Sequence, residues 1–116
     1  MLPEILISLE AGMTLHSRIL EQGFTTFGRL TNSDLCLDDP SVSRNHGAFS
    51  YRFGVFMVED HGSSNGVFVN GLRVKRCVLL TGDKVQIGPF EIYIKHGSEQ
   101  PKAQSVLVER TAPPVM

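Results

Sequence analysis

The sequence predicts an all-β domain, a sandwich or barrel of antiparallel sheets with its polar loops gathered at the sheet ends. Short apolar runs recur along the chain, cut by Gly, Pro, Asn, Asp and Ser. No window of a dozen residues carries apolar side chains at helical period, which argues against helices of ordinary length. Turn pairs such as Asn70-Gly71 and Gly88-Pro89 stand between the runs, where hairpin connections need them.

Taken in order, Ile5–Glu10 reads as a first strand and Leu15–Leu20 as a second, joined through Ala11-Gly12-Met13. Phe24–Phe27 is a third that stops at Gly28, and Leu35-Cys36-Leu37 is a very short fourth. Ala48–Phe53 and Val55–Glu59 flank Gly54 as a hairpin. Both phases of the second arm are mostly apolar, so this strand is expected to be central or packed on both faces. Val67-Phe68-Val69 leads into Asn70-Gly71, a type I′ turn signal. Arg73-Val74 follows as a separate piece, then Cys77–Leu80, which ends at the turn Thr81-Gly82-Asp83. Lys84–Ile87 stops at Gly88-Pro89, and Phe90–Ile94 places Phe90, Ile92 and Ile94 on one face. From Gly97 the residues turn polar, and Pro113-Pro114 cannot continue a sheet interior. Residues 1–96 are therefore expected to form the domain. Residues 97–116 are expected to be a flexible tail or linker, the start of a connection to a C-terminal domain in a longer parent protein.

At 116 residues the chain is long enough for one domain, and 41% hydrophobic side chains supply a core. Eleven basic against twelve acidic side chains give a net charge of -1, which offers no broad nucleic-acid surface. No apolar run is long enough to span a bilayer. No basic segment precedes the first apolar one, so no signal peptide is read and a cytoplasmic home is expected. Cys36 and Cys77 both sit in apolar runs and read as buried free thiols; their spacing leaves a disulfide open, and neither belongs to a zinc-type pair.

Three polar clusters interrupt the strands: Gly28-Arg29, Ser41-Val42-Ser43-Arg44-Asn45-His46 and Asp60-His61-Gly62-Ser63-Ser64-Asn65-Gly66. Each falls between strands, so all three can meet at one end of the sandwich. Their chemistry agrees. Arginine supplies a charged fork of donors that fits a phosphate. Serine hydroxyls and asparagine amides add short neutral donors, and glycines let the backbone turn with its N–H groups outward.

These elements, in this order, resemble the forkhead-associated (FHA) domain family. Gly28-Arg29 looks like the family's opening Gly-Arg; Ser43-Arg44-Asn45-His46 is similar to its Ser-Arg-x-His signature; Ser63-Ser64-Asn65-Gly66 and Val69-Asn70-Gly71 look like its later elements; Gly82-Asp83 through Ile87-Gly88 resembles the end of the fold. The resemblance implies an eleven-stranded antiparallel β-sandwich with recognition loops at one end. It implies a phosphothreonine-dependent protein–protein interaction module in signalling, without catalytic activity, cofactor or metal. Its partner would be a phosphothreonine-containing protein or peptide made by a Ser/Thr kinase, with no nucleic acid and no membrane involved. Carried over by position, Arg29 is the main phosphate-binding side chain. Ser43 donates its hydroxyl to a phosphate oxygen, Arg44 supports the phosphate or the nearby peptide, Ser64 supplies a second hydroxyl, and Asn65 holds the peptide backbone. Gly28, His46, Asn70 and Gly71 are implied to be structural support. Gly47 stands where Ala is more usual, a departure that concerns packing.

Bland readings stand beside these. Arg29 as a strand-end cation, Ser43 as a turn hydroxyl, Ser64 as a plain loop hydroxyl and Asn65 as a left-handed turn residue before Gly66 are the alternatives. Arg44 has Asp38 and Asp39 within reach of a surface ion pair. Ser43 and His46 lack a third orienting group in sequence, so His46 reads as a structural histidine rather than a base. His61 beside Asp60 reads as loop surface. Arg73, Lys75 and Arg76 read as solvated edge cations that also deter edge pairing. Phe49, Tyr51, Phe53 and Phe56 read as core and sheet-face packing.

Overall fold

A computed structural model of the chain describes residues 1–9, 14–99 and 108–110. Eleven strands are assigned: β1 Glu4–Leu9, β2 Thr14–Ile19, β3 Gly23–Gly28, β4 Leu35–Cys36, β5 Gly47–Arg52, β6 Val55–Asp60, β7 Val67–Val69, β8 Leu72–Val78, β9 Lys84–Ile87, β10 Phe90–His96 and β11 Val108–Arg110. No helix occurs among the described residues, hence none long and apolar enough to cross a membrane. The connection through Ala11-Gly12-Met13 and most of the expected tail lie outside the described residues.

The strands form one curled sheet in the order β2-β1-β10-β9-β7-β8-β6-β5-β3-β4, with β11 paired to β8 off that path. The curl closes it into a sandwich. β8 makes the fold-over, because its first half pairs with β7 (Val74 opposite Val67) and its second with β6 (Cys77 opposite Val58). The sequence separates Arg73-Val74 from Cys77–Leu80 because Lys75 and Arg76 interrupt the apolar pattern. Both cations are exposed, and the backbone runs on between them as one strand. The antiparallel expectation also needs correction. β3 and β4 pair in parallel, Phe27 with Leu35 and Gly28 with Cys36, so the sheet is mixed.

The core lies between the two halves of the curl. Ile5, Ile7, Ile92, Ile94, Val85 and Ile87 are buried on one half and Phe27, Phe49, Phe56 and Val58 on the other, all at most 2% exposed. Alternation along β10 holds: Phe90, Ile92 and Ile94 are buried while Tyr93 and Lys95 are exposed. β6 is central in pairing, between β5 and β8, yet only one face is fully buried; Phe56 and Val58 point in, while Val55 is 42% exposed. Two free cysteines are present, Cys77 buried and Cys36 exposed. Cys36 thus departs from the buried expectation, because side chains alternate along the chain here and Leu35 and Leu37 take the core side.

Hydrogen bonds to the body continue past residue 96. The Gly97 N–H donates to Thr81 Oγ1 at 3.1 Å. The Ser98 hydroxyl accepts from the Phe56 N–H at 2.8 Å and donates to the Phe56 carbonyl at 3.1 Å. The Glu99 N–H donates to the Gly54 carbonyl at 2.8 Å.

Candidate functional site

β3, β5 and β6 run antiparallel in register, Gly47 opposite Phe27 and Asp60. Gly28, the 41–46 loop and the 60–66 loop therefore emerge at one end of the sandwich. A ladder of rings leads to that end from the core: Phe56 to Phe49 with centroids 5.4 Å apart, Phe49 to Phe27 at 5.1 Å, and Phe27 to His46 at 6.0 Å.

His46 is fully buried and ties two loops together. Its Nδ1 accepts from the Ser43 N–H at 3.0 Å, so that nitrogen carries no proton, and Nε2–H donates to the Gly66 carbonyl at 2.8 Å. Its backbone adds two bonds, N–H to the Phe27 carbonyl at 3.1 Å and carbonyl from the His61 N–H at 2.9 Å. With both ring nitrogens committed to backbone, His46 is a brace and has no free edge for acid–base work. Gly28 is required by close approach. A Cβ there would stand 2.1 Å from the Arg44 carbonyl oxygen, well inside van der Waals contact. Gly47 has the same cause, since a Cβ would meet the Glu59 carbonyl oxygen at 2.2 Å; this accounts for glycine where alanine is more usual.

On this scaffold sit the exposed donors. Arg29 is exposed; its N–H donates to the Ser43 carbonyl at 3.0 Å and its Nε–H to the Val42 carbonyl at 3.1 Å. One of the five guanidinium N–H groups is thereby committed, which leaves four to donate. Ser43 is half-buried, and its Oγ accepts from the Ser64 N–H at 3.1 Å, which leaves the hydroxyl proton to donate. Ser64 is exposed, and its hydroxyl has no hydrogen-bond partner among the described residues. Arg44 is exposed, and the ion pairs found among the described residues do not include one to Asp38 or Asp39. The left-handed alternative for Asn65 fails, because among the described non-glycine residues only Phe53 and Asn70 have positive φ. Asn65 instead donates from Nδ2 to the Ser41 carbonyl at 2.8 Å. A carbonyl can only accept, so the network fixes the amide orientation and turns Oδ1 away, free to accept.

The structure thus brings Arg29, Ser43, Arg44, Ser64 and Asn65 together on the braces Gly28 and His46. Asn70 and Gly71 serve differently. They form the β7–β8 turn with φ of 50° and 86°, the left-handed pair of a type I′ hairpin, and Asn70 bonds to Asp83 at 3.0 Å and to the Lys84 N–H at 3.0 Å. Their contact with the apex is indirect: Gly71 and Asn65 line one groove of about 350 Å³ with Phe68, Gln86 and Gly88.

Asp39, Ser41 and Ser63, to which the sequence assigns no role of their own, have defined partners. Ser63 is buried; its Oγ accepts from the Gly66 N–H at 2.9 Å and its N–H donates to Asp60 Oδ1 at 3.1 Å. The i, i+3 spacing of Asp60, Ser63 and Gly66 was the available signal, since such side chains close local turns. Asp39 Oδ1 accepts from the Ser41 hydroxyl at 2.6 Å and the Ser41 N–H at 2.9 Å. The hydroxyl first, then the N–H, hold its carboxyl below the ordinary 3.8. Arg73, Lys75 and Arg76 share a groove with Glu59, Asp60, Gly62 and Ser63, so its charge is mixed rather than of one sign. No group of three or more His, Cys, Asp or Glu among the described residues is placed to hold a metal; His61 pairs instead with Glu59 at 3.1 Å.

Comparison with known proteins converges on one family. The FHA domain family model matches residues 25–88. The chain is 42% identical over 96 residues to the glycogen accumulation regulator GarA of Mycobacterium tuberculosis, covering 82% of this chain and 59% of that one. It is 46% identical over 79 residues to the oxoglutarate dehydrogenase inhibitor of Corynebacterium efficiens, covering 68% and 56%. The chain therefore spans under two thirds of the length of these relatives. An FHA domain solved in a structural and functional analysis of phosphothreonine-dependent FHA interactions superposes with a TM-score of 0.70 at 28% identity, covering 84% of this chain and 98% of that one. Mycobacterium tuberculosis EmbR in complex with a low-affinity phosphopeptide gives a TM-score of 0.71 at 26% identity, covering 84% and 26%.

Proposed function

The chain belongs to the FHA domain family, and from that premise we propose that its apex binds a phosphothreonine peptide, as an interaction module in signalling with no catalytic activity of its own. One observation carries this reading: the Arg29 guanidinium and the Ser43 hydroxyl are each held by backbone of a neighbouring loop and keep further donors to give. Donors fixed before binding lose little entropy on meeting an anion. A phosphate dianion accepts a charged fork and a short O–H bond together. Arg29 takes the phosphate with Ser43. Arg44 and Ser64 support it, and Asn65 accepts from or donates to the peptide chain. The groove shared by Asn65, Phe68 and Gly71 receives a flanking side chain. The relatives carry regulatory names, and the phosphothreonine dependence and phosphopeptide complex recorded for the solved neighbours support this ligand class. The partner is then the product of a Ser/Thr kinase, met in the cytoplasm.

An oriented phosphothreonine peptide library tests the reading, with Arg29→Ala as control. Selection of phosphothreonine sequences by the native protein and loss of all of them by Arg29→Ala is the expected result. Retention of the same peptides by Arg29→Ala contradicts it.

A second reading rests on the pole opposite the apex, where Phe53 is 96%, Phe24 54% and Val55 42% exposed. Exposed apolar residues at one pole can serve phosphate-independent assembly, although the Arg52 guanidinium lies 4.9 Å over the Phe24 ring. Loss of a partner on Phe53→Ser with no effect of Arg29→Ala separates the two.

A further inference from the structure

Three consecutive carbonyls hold Asn65 and Arg29, two by the side chain and one by the backbone. The Ser41 carbonyl takes Asn65 Nδ2–H at 2.8 Å, the Val42 carbonyl takes Arg29 Nε–H at 3.1 Å, and the Ser43 carbonyl takes the Arg29 N–H at 3.0 Å. Where these carbonyls point is set just upstream. Asp39 closes a turn over residues 39–42: its carboxylate receives the Ser41 hydroxyl and N–H, and its own carbonyl receives the Val42 N–H at 2.9 Å. The Val42 side chain, 1% exposed, pins the far end of the turn in the core.

We propose that Asp39 is a positioning residue for peptide recognition, aiming Asn65 through the Ser41 carbonyl and Arg29 through the Val42 carbonyl without touching the ligand. This rests on the phosphopeptide reading of the apex. The sign of its effect separates positioning from simple electrostatics. A carboxylate near a bound dianion repels it, so removal of the charge alone strengthens binding. Positioning predicts the reverse for Asp39→Ala. It also predicts that Asp39→Asn, which keeps an acceptor oxygen for both Ser41 bonds and loses only the charge, binds at least as well as the native protein.

The test is calorimetric titration of one library-selected phosphothreonine peptide into the native protein, Asp39→Ala, Asp39→Asn, Ser41→Ala, Asn65→Ala and the Asp39→Ala/Asn65→Ala double variant, with thermal unfolding on each. Asp39→Ala is expected to weaken binding about five- to tenfold, the scale of one well-placed hydrogen bond, and Asp39→Asn to remain within about twofold of native or tighter. The double variant should lose less than the product of the two single losses, because Asp39 acts partly through Asn65. Ser41→Ala keeps the carbonyl and the N–H and removes only the hydroxyl clamp; its expected loss is smaller and in the same direction, which keeps the proposal testable should Asp39→Ala not fold. Native affinity in Asp39→Ala, equal losses in Asp39→Asn and Asp39→Ala, or fully multiplicative losses in the double variant each overturn the positioning role. Failure of the phosphopeptide reading looks different: the native protein then ignores the phosphate and Arg29→Ala changes nothing.

Discussion

The two ends of the sandwich are built in opposite ways. At the apex, loops from three connections are held by the buried His46 imidazole and Ser63 hydroxyl and by the carbonyls of Ser41, Val42 and Ser43. The two arginines of the site, Arg29 and Arg44, stand exposed on that lattice, while the Asp39 and Asp60 carboxylates are part of it. At the other pole β5 returns into β6 through a two-residue turn, Arg52 opposite Val55, with Phe53 at φ 52° and Gly54 at φ 77°. There the connection is as short as a hairpin allows, and an aromatic residue occupies a left-handed position that favours Asn, Asp or Gly. The contrast teaches where this fold holds polar groups in fixed positions. The apex uses internal hydrogen bonds to hold long loops, whereas the far pole is a short hairpin tied from outside, by Ser98 to Phe56 and by Glu99 to Gly54.

Substitutions at the two ends sharpen the contrast. His46→Ala carries the largest expected effect. It leaves the Ser43 N–H and the Gly66 carbonyl without partners and opens a cavity beside Phe27, at a cost of about 3–5 kcal/mol of stability. Denaturant unfolding measures it, and peptide binding should fall with it. Gly28→Ala comes next. Its methyl group must displace the Arg44 backbone, so a loss of about 1–3 kcal/mol is expected, read as a lower midpoint together with weaker peptide binding. At the far pole the sign reverses. Phe53→Asn relieves the left-handed strain and should stabilise the domain by about 0.5–1 kcal/mol, with peptide affinity unchanged in the same titration. An equal loss of affinity from Phe53→Asn breaks the separation of the two ends. The smallest effect is a pH dependence at Asp39. Its folded-state carboxyl is held below the ordinary value of 3.8 by the Ser41 hydroxyl and N–H. The stabilisation is present above 3.8 and is lost as pH falls through the lowered folded value. The stability difference between the native protein and Asp39→Ala should therefore be full near about pH 6 and shrink towards about pH 2, measured by urea unfolding at each pH.

The same two regions show what was legible in the sequence. Local signals read well. Asn70-Gly71 gives the expected type I′ turn, β9 covers Lys84–Ile87 as expected, and the alternation of Phe90, Ile92 and Ile94 marks the core face. The loop that carries Ser43 and His46 stands at a strand end, where the polar breaks between apolar runs predict it. What escaped is either long-range or contrary to local preference. The parallel β3–β4 pair leaves no local mark, because two residues of strand look the same in either direction. Phe53 reads as strand packing since nothing in its neighbours announces a left-handed turn ahead of Gly54. Asp39 and Ser41 spell a turn, but their weight comes from Asn65, whose bond to the Ser41 carbonyl spans 24 residues of sequence. Such a bond belongs to the fold rather than to the motif.

The most direct test of the account is a pair of calorimetric titrations with one peptide, phosphorylated and unphosphorylated on its threonine, into the native protein and into Arg29→Ala. Binding of the phosphorylated form alone is expected, with a loss of about 1.5–3 kcal/mol or more on Arg29→Ala and the unfolding midpoint preserved. Equal affinity for the two peptides, or an Arg29→Ala variant that binds as the native protein does, contradicts it.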